Sequence, residues 1–121
     1  MIIAGIGFRA SATPKSLQSA YDSACQTAGI AGVDGLASIA EKIISPVLQQ
    51  FAADKSLLLQ SVIIKGVITP TQSARIQSQY GTGSVAEAAA LVAAGPNARL
   101  ICPRITSPCG RVTIAIAQEA L

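Results

Sequence analysis

The sequence predicts an α/β fold: a three-layer α/β/α sandwich around a mixed, mostly parallel sheet of about five strands that ends in an antiparallel hairpin. Three observations carry this expectation. Residues 2–6 form a short apolar run bounded by glycine, as a buried strand does. A segment with explicit helix start and stop signals follows, and strand-like and helix-like runs then alternate along the chain. The chain closes on two β-rich runs, 99–102 and 112–117, that flank a Pro/Gly turn.

Each element has its own warrant. After the first strand a loop runs through Gly7, Phe8 and Arg9 to Thr13. Thr13 is a suitable N-cap with Pro14 in the first turn, and Leu17, Ala20, Tyr21, Ala24, Cys25 and Ala28 recur at spacings of three and four. Lys15, Gln18, Ser19, Asp22 and Gln26 occupy the opposite face, and Gly29 supplies the stop. Residues 33–39 read as a second strand. Ser45-Pro46 opens a shorter helix that turns Val47, Leu48, Phe51 and Ala52 to the core, and 57–59 reads as a third strand. Residues 62–68 fit neither period, and Thr69-Pro70-Thr71 is a polar turn. A short helix over 73–79, a glycine turn, and a helix from Val85 to Ala94 stopped by Gly95-Pro96-Asn97 lead into the closing hairpin.

At 121 residues the chain fits one domain, 1–121, and half of its residues are apolar, which excludes a disordered chain. Only 3% are aromatic, so small aliphatic side chains must fill the interior. The net charge is +3, yet the nine Lys and Arg residues stand singly with no basic run. Nucleic-acid binding therefore lacks its usual stripe and its stacking platform. A small anionic ligand suits the balance better. Gly5 and Gly7 interrupt the apolar start far short of a membrane span, so a soluble, cytoplasmic protein is expected. Cys25, Cys102 and Cys109 form no C-x-x-C pair and the chain has no histidine, which argues against a metal site and for reduced thiols. Cys25 belongs on a core-facing helix stripe. Cys109 sits in an exposed turn, with no histidine to activate it, and takes no catalytic role.

The strongest local signal is Gly81-Thr82-Gly83-Ser84 running into Val85-Ala86-Glu87. Ser84 and Glu87 have the S-x-x-E spacing of a capping box, which commits Glu87 to a structural cap and starts a helix whose free N–H groups point outward. Glycine lets a ligand approach that backbone, and the helix dipole favours an anion by about 0.3–1 kcal/mol. A well-capped structural helix explains the same residues without any ligand. Gly5-Ile6-Gly7-Phe8-Arg9-Ala10 also matches G-x-G-x-x-A, but the next helix starts too late and Asp34 stands at the wrong end of its strand for a dinucleotide fold. Instead, Gly7 permits a tight exit from the strand, and Arg9 offers a fork for a carboxylate. Lys42 follows the second strand at the same carboxyl edge. With no histidine and no suggestive pair of carboxylates, Lys42 is the first catalytic candidate in a chain otherwise poor in catalytic groups.

Taken in order, G-x-G-x-R at 5–9, Lys42, Thr69-Pro70-Thr71-Gln72-Ser73, the Gly81–Leu91 run, Ala94-Gly95 and Pro103-Arg104 closely resemble the CobE family and the related C-terminal domain of CbiG proteins of cobalamin biosynthesis. The resemblance covers nearly the whole chain. It implies a cytoplasmic protein whose ligand is a tetrapyrrole, a corrin precursor bearing many acetate and propionate side chains, and it implies no cofactor. Gly5, Gly7, Phe8, Arg9, Lys42, Gly81, Thr82, Gly83 and Ser84 are then the expected substrate-binding residues, with Phe8 against the macrocycle. The reading it favours is a carrier or accessory protein that passes the intermediate between pathway enzymes. The alternative it raises is a part in cobalt-precorrin-5A hydrolysis, opening the ring lactone with release of acetaldehyde; CbiG proteins carry a further N-terminal portion, which a separate protein would have to supply. A nucleotide-binding subunit is a third, weaker reading.

Overall fold

The computed structural model describes residues 1–9, 11–69 and 84–120. Five strands form one sheet in the order β3-β2-β1-β5-β4: β1 is Ile2–Phe8, β2 Gly35–Ser38, β3 Leu58–Ser61, β4 Arg99–Thr106 and β5 Val112–Gln118. β1 pairs parallel with β2, and β2 with β3, while β5 runs antiparallel to both β1 and β4. β5 is thus the single reversed strand. Helices α1 (Pro14–Ala28), α2 (Ala40–Ile43), α3 (Pro46–Asp54) and α4 (Val85–Ala94) complete the described elements, and helices pack on both sides of the sheet. This is the expected fold class. The expected helix over 73–79 and most of the polar turn before it lie outside the described residues.

α1 begins and ends where its signals place it. The Thr13 hydroxyl accepts the Ser16 N–H at 3.1 Å and the Ser16 hydroxyl oxygen accepts the Thr13 N–H at 2.8 Å, a reciprocal capping box. Gly29 closes the helix in the left-handed region, φ 71°, where a Cβ would be strained. The α1 stripe packs with α3 and one sheet face around Leu17, Ala24, Leu48, Ile6, Ile114 and Ile116. Tyr21 meets the Phe51 ring edge-on at 5.6 Å, and its hydroxyl accepts the Val33 N–H at 3.2 Å. Lys55 lies over both rings, at 4.8 and 5.3 Å. Each fully buried aliphatic side chain here contributes about 1.5–3 kcal/mol.

The opposite face is built for contact with α4. Ala37 of β2, Gly5 of β1 and Ala115 of β5 stand in register across the sheet, a row of small residues. α4 lays Ala86, Ala89 and Ala90 over it, and Ile3, Ile39, Ile64 and Ala117 close the layer. Because successive strand residues point to opposite faces, Ala4 and Ile6 feed the α1 side while Ile3, Gly5 and Gly7 meet α4. The low aromatic content is what permits so close a helix.

Several strand boundaries differ from expectation. β1 continues past Ile6 to Phe8, because antiparallel pairing with β5 extends to Phe8 opposite Val112. β2 starts late, at Gly35, and Ile39 already acts as the N-cap of α2, a short helix that the sequence does not announce. β3 is Leu58–Ser61, shifted along the chain, and 62–68 is irregular around a turn with Gly66 at φ 82°. β4 passes through Pro103 to Thr106 with two register shifts; as an edge strand it tolerates a residue that has no N–H to donate.

Candidate functional site

β1, β2, β3 and β4 run in one direction, so their carboxyl ends share one edge of the sheet, and open α/β sheets bind ligands along that edge. Between β1 and β2 the edge is sealed by buried Ser38, whose hydroxyl donates to the Ile6 carbonyl at 2.6 Å. Above it, the last residue of β1 meets α2: the Lys42 ammonium lies 5.2 Å from the centroid of the half-buried Phe8 ring. Two residues singled out from sequence are therefore in contact. Neither Ser38 nor α2 was legible beforehand, since a lone serine and a four-residue helix leave no pattern.

The start of α4 reaches the same edge from the other face. A side chain built on Gly7 would meet Val85, the first residue of α4, at 3.5 Å. Gly5 lies lower, fully buried beneath α4, and its missing Cβ is taken up by the Ala86 carbonyl and the Ala90 N–H. The first glycine of the G-x-G pattern is thus a helix-packing position, and Gly7 lies nearer the edge. Ser84 is 1% exposed, and its hydroxyl accepts the Glu87 N–H at 3.3 Å, the N-cap bond anticipated from the sequence. Glu87 is fully buried, and its carboxylate also reaches across to β4, where Oε2 accepts the Arg104 N–H at 3.0 Å. Gly81, Thr82 and Gly83 lie outside the described residues.

Topology also sorts charge. Arg9 follows β1, Lys15 stands in the first turn of α1, Lys42 is on α2, Lys65 follows β3, Arg104 lies two residues before the end of β4 and Arg111 precedes β5: all arrive at the carboxyl edge. Glu41 is the exposed acid beside them. At the opposite edge Lys55 and Arg99 are offset by Asp34, Asp54 and Glu119, the last paired with the chain's amino group. Residues scattered singly in sequence thus become a positive pole in space. Among the described residues, none of the cations at the carboxyl edge forms a salt bridge. Arg104, which the sequence offers only as part of the family resemblance, and Arg111 carry no local signal of a site, because an isolated arginine near a turn is ordinarily just solvated.

The turn between β4 and β5 belongs to this edge. Ser107 is buried and its hydroxyl accepts the Val112 N–H at 3.2 Å, while the exposed Cys109 sulfur lies 3.3 Å from the same oxygen. Hydrogen bonding from Ser107, then from the Arg111 backbone, holds the Cys109 thiol below its ordinary pKa. Burial pushes the Cys25 and Cys102 thiols up. Among the described residues no group of three His, Cys, Asp or Glu could hold a metal ion, and no helix is long and apolar enough to cross a membrane.

These features describe a small α/β fold with a mixed five-stranded sheet, cations along its carboxyl edge and a glycine-seated helix over its central strand. The chain belongs to the CobE and CbiG C-terminal family of cobalamin biosynthesis: the family described as "Cobalamin synthesis G C-terminus" matches residues 2–117. Among solved structures, the chain is similar to CobE, a protein from the cobalamin (vitamin B12) biosynthetic pathway, at 29% identity and TM-score 0.86, covering 99% of this chain and 91% of that one. It is similar to the cobalamin biosynthesis protein chiG from Agrobacterium tumefaciens str. C58 at 35% identity and TM-score 0.77, with both chains covered in full. A cobalamin biosynthesis protein G homolog from Sulfolobus solfataricus shares the fold at 21% identity and TM-score 0.70; 98% of this chain corresponds to 37% of that longer one. No curated protein matches the sequence. The chain is accordingly a cobalamin biosynthesis protein.

Proposed function

We propose that the carboxyl edge binds a polycarboxylate tetrapyrrole, a precorrin or corrin intermediate, and that the protein acts as its carrier or accessory protein. The observation that carries this reading is the Lys42–Phe8 pair, which sets an ammonium and an aromatic face side by side at that edge. A macrocycle ringed by acetates and propionates needs both an apolar surface and cations. Phe8 supplies the first, and Lys42 and Arg9 supply the second, with the Gly81–Ser84 backbone leading into α4 as an anion seat. Membership of a cobalamin-synthesis family fits that ligand class. The absence of histidine and of a carboxylate pair in the sequence favours carriage over catalysis.

The test is titration with hydrogenobyrinic acid, a metal-free corrinoid, comparing the wild type with Arg9→Ala and Lys42→Ala. Each substitution weakens affinity about tenfold on this reading, the loss of one charge-assisted contact. Unchanged affinity in both variants contradicts it.

One observation favours a second reading. The family is named for the C-terminus of a longer protein, and the chain matches little over a third of the Sulfolobus solfataricus homolog. In that reading the domain contributes to a cobalt-precorrin-5A hydrolase, with Lys42 the first catalytic candidate. Acetaldehyde released from the lactone substrate in the presence of the remaining portion, and lost with Lys42→Ala, supports it. Substrate that binds without acetaldehyde release supports the carrier.

A further inference from the structure

The arrangement of arginines around the start of α4 extends the site to the other face of the sheet. In β1 and β5, Gly7 pairs with Thr113 and Phe8 with Val112. The Arg9 N–H donates to the Arg111 carbonyl at 2.9 Å, which continues this pairing by one step and sets Arg9 opposite Arg111. Alternation assigns the pair a face. Ala4, Ile6 and Phe8 belong to the α1 side and Ile3, Gly5 and Gly7 to the α4 side, so Arg9 and its partner continue the α4 series. Arg104 is brought to the same place independently, because the buried Glu87 carboxylate in the first turn of α4 holds its backbone N–H. All three arginines are exposed, and among the described residues none of their guanidiniums forms a salt bridge, the Glu87 carboxylate being bonded to the Arg104 backbone N–H. The Lys42–Phe8 contact lies on the α1 side of the edge.

We propose that Arg104 and Arg111, together with Arg9, grip ligand carboxylates on the α4 side, so that the polycarboxylate straddles the sheet edge between this arginine cluster and Lys42. This rests on the tetrapyrrole reading above and adds to it two binding residues and an orientation. Guanidinium forks match carboxylates in a bidentate geometry, and a ring with carboxylates around its whole perimeter is the kind of ligand that engages cations on both faces of one edge. The three arginines and the positive end of the α4 dipole make this side of the edge attractive to a polyanion, with the buried Glu87 carboxylate the acid beside them. A mono- or dicarboxylate reaches only one side.

The experiment compares hydrogenobyrinic acid binding by the wild type, Arg104→Gln, Arg111→Gln and, as a control at the opposite edge, Arg99→Gln, each checked for native circular dichroism. The proposal expects about tenfold weaker binding for Arg104→Gln and for Arg111→Gln, wild-type binding for Arg99→Gln, and a shallower salt dependence in the two weakened variants. Succinate as competitor displaces little of the corrinoid. If the wild type binds and Lys42→Ala weakens it, but Arg104→Gln and Arg111→Gln match Arg99→Gln, the arginine cluster is overturned and the tetrapyrrole reading stands. If the wild type does not bind, both fall together.

Discussion

Glu87, in the first turn of α4, accepts the backbone N–H of Arg104 on β4 at 3.0 Å, so a fully buried carboxylate bridges the helix layer and the irregular end of an edge strand. The bond stabilises β4 where its register shifts and ladder bonds are interrupted. Glu87→Ala removes the acceptor and leaves a cavity, so the expected cost is about 1–3 kcal/mol for the stranded donor, plus packing loss. Glu87→Gln keeps a carbonyl oxygen in the same place and is expected to cost less. Urea denaturation of the three proteins checks the order. An alanine variant as stable as the wild type would show that the bridge contributes nothing.

Gly5 and Gly7 separate a packing position from one near the site edge. A Cβ at Gly5 would stand 2.0 Å from the Ala86 carbonyl oxygen and 2.5 Å from the Ala90 nitrogen, so α4 must move away from the sheet. A Cβ at Gly7 meets Val85 at an ordinary 3.5 Å. Gly5→Ala is therefore expected to destabilise by about 1–3 kcal/mol or more, as overpacking does, and Gly7→Ala by well under about 1 kcal/mol. Equal losses in thermal melting would contradict the packing described.

The three thiols are expected to separate by reactivity and by their effect on stability. With its thiol held below the ordinary value by Ser107, Cys109 should react with iodoacetamide at a lower pH than a free cysteine, and Ser107→Ala should move its profile back up. Cys25 and Cys102 should resist the reagent in the native protein. Burial raises their folded pKa above the ordinary 9.0, so once pH exceeds that value the unfolded chain has lost protons that the native state retains. Stability from these groups is complete below about pH 9 and falls as pH climbs toward the folded values. The urea midpoint should therefore drop between pH 8 and pH 10, and Cys102→Ala should flatten the drop. A midpoint that rises over this interval would reverse the sign of the argument.

α1 was legible almost to the residue, because Thr13, Pro14 and Gly29 act locally and its stripe is periodic. α4 was equally clear, from Ser84 to Gly95. β4 runs past the break that Pro103 signals, since only tertiary position reveals an edge strand that tolerates proline. Phe8 is legible from the G-x-G-x-R run and Lys42 from its place after the second strand, but their contact depends on α2, which has no periodic signal. The charged pole is legible only in part, at Arg9 and Lys42, because the rest of it is a property of strand direction. Arg9, Lys65 and the Arg104–Arg111 hairpin lie far apart in sequence, and the shared direction of β1, β3 and β4 brings them to one edge.

Whether this edge binds a polycarboxylate macrocycle is decided by titrating the wild-type protein with hydrogenobyrinic acid. Binding is followed by the ring's visible absorption and by co-elution of colour with protein on a sizing column, at low and at physiological salt. Saturable micromolar binding that weakens as salt rises is expected, because part of the attraction comes from exposed cations. Colour that elutes apart from the protein at both salt concentrations, with no saturable change in absorption, would contradict it.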